Sequence, residues 1–300
     1  GPRDRRCARG RGRGAVSRIA YVDGRYVPHG KALIPMDDRG YHFADGVYEV
    51  IAYNRHGAFV DAKAHLQRLR ASLKYVGISY ALSDQSLLIV MHELMRKNRC
   101  QEGFLYLQIT RGVAPRDHVT ARSMRPMVTL FVRPMTFKEV PVPSNVFIEP
   151  DERWKRNEIK SISLLGNILA KYQAHQKGGD EAWLVNENGL ITEGSSTNAW
   201  IVTQEGIIRT HPVAPYILNG IVRQRLLGIA QSLSLPLEEK AFSLEEIQHA
   251  SEAFLTSSTK GVLPVISING IKIGTGSMGP ITAMLRKAYW NFQNDLRQDN

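Results

Sequence analysis

Strand-like segments that turn back on themselves, separated by amphipathic helices, constrain the fold of this chain more than any other feature. Asp23-Gly24 lies between two short apolar segments near the start, and Asn269-Gly270 lies between two more near the end. Both dipeptides favour the two-residue turns that join antiparallel strands. The strict alternation of strand and helix that builds a doubly wound sheet is weak. The pattern therefore predicts an α/β fold of the α+β type, with mixed and antiparallel sheets.

Helical spacing and capping residues define the predicted helices. Leu66, Leu69 and Leu73 recur at helical intervals, which predicts a helix over 62–76. Ser83 is a suitable N-cap for the next helix. Two further helices are predicted over 164–176 and 220–233. Another helix should follow the capping box formed by Ser243 and Glu246, and a last one should begin at Pro280. Strands are predicted over 19–22, 25–27, 46–53, 58–60, 104–110, 127–132, 146–149, 181–185, 189–191, 198–202, 207–210, 253–255 and 262–268.

A proline-rich segment divides the chain. Residues 134–145 hold three prolines and little periodicity, as linkers between domains do. We therefore expect an N-terminal α/β domain over 19–133, a linker over 134–145 and a C-terminal domain over 146–300. Residues 1–18, rich in glycine and arginine, are expected to be a basic disordered head or a cloning remnant.

The positive charge is concentrated in that head. About half of the net charge of +11 lies in residues 1–18, which hold seven arginines and one aspartate. A nucleic-acid-binding protein is the alternative class that this charge suggests. It predicts steeply salt-dependent binding, which deletion of the head would abolish. The head lacks the apolar segment of a secretory signal, and no run of ~18 apolar residues predicts a membrane span.

Cysteine and histidine usage excludes two kinds of site. Cys7 and Cys100 are the only cysteines, and the nine histidines form no metal-ligand motif. Neither a disulfide framework nor a metal site is expected. Sparse cysteine is typical of a reducing compartment, so we expect a cytoplasmic protein.

Several segments carry residues suited to chemistry, although each has a plainer explanation when taken alone. Lys160 precedes an apolar helical stripe, where desolvation favours a nucleophilic amine; a surface lysine is the alternative. Residues 192–198 place a glutamate among small polar side chains, which suits a polar ligand or an ordinary turn. The helix start at 218–223 offers amides that bind phosphate, as every helix start does. Residues 256–259 form a hydroxyl cluster or a polar connection.

Two arginines in the first half raise the same question. Arg116 and His118 lie two residues apart in a loop, where they could bind a carboxylate or be loose surface charges. Arg68 lies between core leucines on a helix, as a solvated charge or a phosphate ligand.

Seven sequence blocks, in order, resemble the fold-type IV pyridoxal-phosphate enzymes. The resemblance runs from about Ile19 to Phe292. The blocks are DRGYHFADGVYEV (38–50), HLQRL (65–69), YLQITRGVAPRDH (106–118), IKSISLLGNILAK (159–171), ITEGSSTN (191–198), THPVAPYILNGIVR (210–223) and FLTSST (254–259).

This resemblance implies pyridoxal 5'-phosphate as the cofactor and assigns residues to it. The family's Schiff-base lysine matches Lys160, which would also shuttle the substrate proton. The acidic partner of the ring nitrogen matches Glu193. The remaining matches are Arg68, Ser258 and the amides of Ile221 and Val222 around the phosphate, Leu218 against the ring, and Ser195 and Ser196 in hydrogen bonds near the cofactor.

Within the family, the first-half loops resemble those of D-amino acid aminotransferases. There, an arginine and a histidine of a PRxH loop and a tyrosine of GVYEV bind the α-carboxylate, which implies these roles for Arg116, His118 and Tyr48. The loop reaches over from the neighbouring subunit, so a homodimer is implied. Two residues depart from the pattern. Asp117 replaces a small neutral residue and would weaken carboxylate binding, and Val222 replaces a common threonine.

The sequence thus predicts a homodimeric D-amino acid aminotransferase. It would convert D-alanine and 2-oxoglutarate to pyruvate and D-glutamate by ping-pong transfer, with small amino and 2-oxo acids as partners and no membrane. Branched-chain aminotransferases, (R)-amine aminotransferases and aminodeoxychorismate lyases are the alternatives within the family. Branched-chain aminotransferases and the lyases share the cofactor residues and lack the arginine–histidine pair.

Overall fold

The chain folds as two compact units. The computed structural model describes residues 18–119 and 124–297. The first unit runs to Phe137 and includes the returning segment Ile159–Ser163 and the chain from Asn294; the second comprises Lys138–Glu158 and Leu164–Gln293. Cys7 and nearly all of the basic head lie outside the described residues. The linker and domain boundaries inferred from the sequence stay a prediction.

The first unit is an antiparallel sheet with helices packed against it. Its five strands lie in the order β2-β1-β5-β4-β3, and every pairing is antiparallel. The apolar faces of the two long helices pack on it and close one hydrophobic core. The elements are β1 (Ile19–Val22), β2 (Arg25–Pro28), α1 (Arg39–Phe43), β3 (Gly46–Tyr53), α2 (Ala62–Val76), α3 (Asp84–Asn98), β4 (Gly103–Thr110) and β5 (Met127–Pro134).

The second unit is a larger mixed sheet. Its strands lie in the order β11-β10-β9-β12-β13-β6-β7-β8, with β14 paired to β13. The pairs β6–β7, β6–β13 and β10–β11 are parallel and the others antiparallel. The elements are β6 (Ser144–Pro150), α4 (Leu165–Gln176), β7 (Glu181–Val185), β8 (Ile191–Gly194), β9 (Asn198–Val202), β10 (Ile208–Thr210), α5 (Ile221–Ser232), β11 (Leu237–Glu239), α6 (Leu244–Gln248), β12 (Glu252–Ser257), β13 (Gly261–Ile268), β14 (Ile271–Lys272) and α7 (Pro280–Asp295).

Most predicted elements are confirmed within a few residues. The mixed α/β fold is confirmed, as is the capping box, in which Ser243 and Glu246 bond each other's main chain. Asn269 and Gly270 both have positive φ, as the predicted hairpin turn requires. The predicted strand over 58–60 is wrong, since only Phe59 bridges to Tyr53.

A second boundary is also wrong and bears on the site. The strand predicted over 189–191 lies at Ile191–Gly194, so Glu193 belongs to the strand itself and not to the turn after it.

No helix in the described part of the chain has both the length and the apolar character needed to cross a membrane. Among the described residues, no cluster of His, Cys, Asp and Glu could hold a metal ion.

Candidate active site

Lys160 is clamped by its main chain in the first unit. Its amide donates to Ser72 Oγ on α2 at 3.1 Å, and its carbonyl accepts from the Tyr48 amide on β3 at 3.0 Å. The next residue, Ser161, forms a bridge with Val47. The segment therefore extends the sheet beyond its β3 edge. The Lys160 side chain is half-buried, and its Nζ lies 4.3 Å from the centroid of the Tyr48 ring, as a cation–π pair.

The Tyr48 ring is held by an aromatic stack. It lies parallel to the Tyr106 ring at 5.6 Å, and Tyr106 in turn stacks on Phe131 at 4.9 Å. These residues come from β3, β4 and β5, which are neighbours in the sheet. The stack fixes the surface over which the Lys160 ammonium lies.

Arg68, a predicted phosphate ligand, is paired with a buried carboxylate. Glu49 is fully buried on β3, and both its oxygens accept from Arg68, Nε and Nη2 each at 2.8 Å. His65 Nδ1 lies 2.7 Å from Glu49 Oε2. Burial opposes ionisation of Glu49, but Arg68 and then His65 outweigh it and lower its pKa to about 2. The charge that Arg68 offers a phosphate is therefore shared with Glu49.

Glu193 is the centre of a second buried cluster, in the second unit. Arg153 Nη1 donates to it at 2.5 Å and Nη2 pairs with Asp151 at 2.8 Å. Thr192 Oγ1 also donates to Asp151, at 2.7 Å. Arg153 pairs with the two carboxylates of Asp151 and Glu193, so the cluster carries one excess negative charge when both are ionised. Burial raises the pKa of Glu193 above its usual range, against the opposing charge of Arg153.

The same carboxylate is bound to the segment before α5. Glu193 accepts from the Leu218 amide at 3.2 and 3.1 Å and from Asn198 Nδ2 at 3.0 Å. Asn198 Nδ2 also donates to the Leu218 carbonyl. A Cβ at Gly220 would lie 2.1 Å from Asn198 Oδ1, so a larger residue there would displace the Asn198 amide. The predicted ring-nitrogen partner and the predicted phosphate-binding helix start are therefore brought together.

The first turn of α5 has the backbone arrangement of an anion site. Gly220 is its N-cap and no side chain caps it, while Ile221 and Val222 supply its first two amides. Amides at the first turn of a helix point outward with the positive end of the helix dipole. The helix start thus has the form expected of a phosphate site.

The predicted serine ligands differ in how they are engaged. The hydroxyls of Ser195 and Ser196 both donate to the buried Glu181 carboxylate. Ser258 lies half-buried in the turn after β12. In the same segment Thr256 Oγ1 accepts from Trp200 Nε1 at 3.0 Å and so stabilises the sheet. The roles of Ser195, Ser196 and Ser258 toward a cofactor stay predictions.

Arg116 and His118 lie in the loop after β4 and pack on α1. Both contact the ring of Phe43. Tyr48, the third predicted carboxylate ligand, packs instead on Tyr106 and Lys160. In the described part of the single chain, Arg116 and His118 thus share the Phe43 ring, whereas Tyr48 contacts other residues.

Sequence reasoning missed the residues that hold the predicted ligands in place. Glu49 lies two positions after the inward-facing Val47 and therefore on the same, apolar face of β3. A charged residue on that face was the one signal in the sequence for a buried ion pair. A buried carboxylate there requires a partner. Arg153 and Asp151 lie in an irregular segment whose pairing with Glu193 has no local sequence signal.

A family comparison fits these features. Residues 46–268 match the model of the family described as Amino-transferase class IV. The chain therefore belongs to this family of aminotransferases.

Particular relatives make the comparison more specific. The chain is 39% identical over 272 residues to a D-alanine aminotransferase of Bacillus licheniformis, covering 90% of this chain and 95% of the relative. It is 34% identical over 273 residues to a D-alanine aminotransferase of Staphylococcus haemolyticus, with the same coverage.

Solved structures agree on the fold. A branched-chain aminotransferase of Thermoproteus uzoniensis, solved with norvaline, has a TM-score of 0.81 and 27% identity, covering 92% of this chain and 94% of that one. The branched-chain amino acid aminotransferase of Escherichia coli has a TM-score of 0.85, covering 94% and 96%. At 22% identity, the second likeness concerns the fold alone.

The residues present fit pyridoxal phosphate. The excess negative charge at Glu193 suits a protonated ring nitrogen, and the uncapped start of α5 suits a phosphate. Lys160 combines a fixed main chain with a side-chain amine. These are the three kinds of contact that the cofactor needs: a charge partner, a phosphate cradle and a covalent anchor.

Proposed function

We propose that this chain is a pyridoxal-phosphate-dependent D-amino acid aminotransferase. It transfers the amino group of a D-amino acid such as D-alanine to 2-oxoglutarate, giving a 2-oxo acid and D-glutamate. The observation that carries the proposal is the 39% identity, over 90% of the chain, to a D-alanine aminotransferase. The loop with Arg116 and His118 supports it, because such a pair can bind an α-carboxylate.

The roles of the chain's own groups follow from their surroundings. When bound, pyridoxal phosphate supplies the electron-accepting ring on which transamination depends. Lys160 would anchor it and, once the substrate amine has displaced Nζ, Nζ would carry the proton from the substrate Cα to C4′ of the cofactor. Glu193 holds the ring nitrogen in its protonated form. Arg68, Ser258 and the amides of Ile221 and Val222 hold the phosphate, while Leu218, Ser195 and Ser196 border the ring.

Substrate discrimination tests the proposal. The holoenzyme should turn over D-alanine with 2-oxoglutarate and lose the absorbance of the lysine-bound cofactor when D-alanine alone is added. L-alanine and L-leucine are the controls. Turnover of D-alanine no faster than that of the L-amino acids would refute the proposed specificity.

Branched-chain transamination is the second candidate. The solved structure of the Thermoproteus uzoniensis branched-chain aminotransferase, at 27% identity, favours it. This candidate predicts that L-leucine is a better substrate than D-alanine and that Arg116→Ala changes the KM for L-leucine little. The same assay therefore separates the two.

We also propose a homodimer. Helix α4 exposes four large apolar side chains at helical spacing: Leu165, Ile168, Leu169 and Tyr172, each 49–69% exposed. Such a stripe is typical of a face that a partner covers. Ile168→Glu should shift the particle mass toward that of one chain in light scattering, whereas Ile271→Glu, an exposed position on the short strand β14, should not.

The cytoplasm remains the compartment that we propose, because the chain has only two cysteines.

A further inference from the structure

One aromatic ring of α1 contacts both predicted carboxylate ligands of the loop after β4. Arg116 Cζ lies 5.1 Å from the centroid of the Phe43 ring, and the His118 ring lies 5.5 Å from it. A second arginine, Arg39, has its Cζ 4.8 Å from the same centroid. Arg116 and His118 are exposed, but the ring gives both side chains a common surface.

Arg39 fixes the main chain beneath these side chains. Its Nη1 donates to the Asp117 carbonyl at 2.5 Å and its Nη2 to the His118 carbonyl at 3.4 Å. Its Nε donates to Asp45 Oδ2 at 2.8 Å, and Arg111 Nε donates to the same oxygen at 2.7 Å. The Arg39 side chain is only 7% exposed, so packing limits its movement.

The loop is also constrained at its base and at its turn. Gly112 has φ +106°, and a Cβ there would lie 2.1 Å from the Arg125 carbonyl, so the two ends of the loop approach closely at a glycine. Asp117 Oδ1 accepts from the Val119 amide at 3.2 Å. The carboxylate that departs from the family pattern is thus used within the turn.

We propose that Phe43 is the platform that holds Arg116 and His118 in position as a preformed carboxylate-binding pair, with Arg39 fixing the main chain that carries them. This inference rests on the proposed function, in which the pair binds the substrate carboxylate. A flexible arginine on an exposed loop loses side-chain freedom when it binds, and a ring that already orients it reduces that loss. Phe43 is therefore a positioning residue that acts through the loop.

The test compares Phe43→Leu with Phe43→Tyr in the holoenzyme. Loss of the ring in Phe43→Leu should raise KM for D-alanine about tenfold, equivalent to ~1.4 kcal/mol, with kcat within about twofold of wild type. Phe43→Tyr, which keeps the ring, should restore KM. Tyr41→Leu is the matched control, since Tyr41 is on the same helix and its ring packs on His42.

A binding measurement separates positioning from general damage. The dissociation constant of propionate, an unreactive carboxylate, should rise in calorimetry with Phe43→Leu by the same factor as KM, while cofactor absorbance and the thermal midpoint stay close to those of Tyr41→Leu. If Phe43→Leu is insoluble, Phe43→Met provides a flexible apolar side chain without a ring.

The outcomes distinguish the platform from the proposed function. If Arg116→Ala leaves KM for D-alanine unchanged, the carboxylate role of the loop fails and the platform fails with it. If Arg116→Ala raises KM but Phe43→Leu does not, only the platform is wrong. Equal losses in kcat and stability without a change in propionate binding, or no rescue by Phe43→Tyr, would also overturn it.

Discussion

The two buried charge clusters of this enzyme differ in their net charge. In the first unit, Glu49 is matched by Arg68, and burial lowers the pKa of the adjoining His65, which favours its neutral form. In the second unit, Arg153 faces both Asp151 and Glu193. The first cluster is neutral, whereas the second has one uncompensated negative charge.

This difference separates a structural role from a ligand-binding one. A neutral, hydrogen-bonded pair stabilises the side chains that it joins, and here it holds Arg68 in place for the proposed phosphate contact. A buried cluster with excess negative charge is costly until a cation binds it. We therefore expect substitution of Glu49 to act mainly on stability and substitutions in the second cluster to act mainly on cofactor chemistry.

The largest expected effect belongs to Lys160, which lies beside the first cluster and is the proposed anchor of the cofactor. Lys160→Ala removes the covalent amine and the proton carrier, so turnover should fall by at least ~10⁴-fold, about 5.5 kcal/mol of barrier. The absorbance of the lysine-bound cofactor should disappear while urea unfolding changes little. Lys171→Ala is the control, and retained turnover in Lys160→Ala would refute the assignment.

Glu49→Gln should instead reduce the stability of the first unit. It keeps the shape of the side chain but takes the Glu49 charge away from the mostly buried Arg68, which costs about 3–5 kcal/mol. The free energy of unfolding in urea is the measurement. Glu93→Gln is the control, because Glu93 pairs with Arg96 on the surface of α3 and its loss should matter little. Equal stability of the two variants would contradict a structural role for the cluster.

These clusters also show what the sequence could and could not predict. Helix α2 and strand β3 were predicted at their observed bounds, because apolar spacing and capping are local signals. The pairing of Glu49 with Arg68 joins residues nineteen positions apart on different elements, and that of Arg153 with Glu193 spans forty. Only the packed fold decides such pairs. The motif positions were available from the sequence, but the residues that support them were not.

Glu193→Gln tests the second cluster directly. It removes the charge that we propose keeps the ring nitrogen protonated, so turnover should slow by about 100-fold, ~2.7 kcal/mol of barrier. Cofactor absorbance should persist, because Lys160 and the phosphate contacts remain. Asp151→Asn is the comparison variant: it removes the other carboxylate on Arg153 and should slow turnover less. Turnover near the wild-type rate in Glu193→Gln would reject the role.

The smallest expected effect is in the pH dependence of stability, where the two clusters should have opposite signs. The folded-state pKa of Glu49 is lowered from 4.5 to about 2, so its stabilising contribution is complete above the unfolded value and is lost as pH falls toward the folded one. Between pH 7 and pH 3 the loss should be about 2 kcal/mol. Burial raises the folded-state pKa of Glu193, so in the cofactor-free protein protonation of Glu193 should favour the folded state as pH falls. Urea unfolding of the cofactor-free variants at a series of pH values measures both: relative to wild type, Glu49→Gln should flatten the acid loss of stability and Glu193→Gln should steepen it. If both variants shift the pH profile of stability in the same direction, the inferred difference in net charge between the two clusters is wrong.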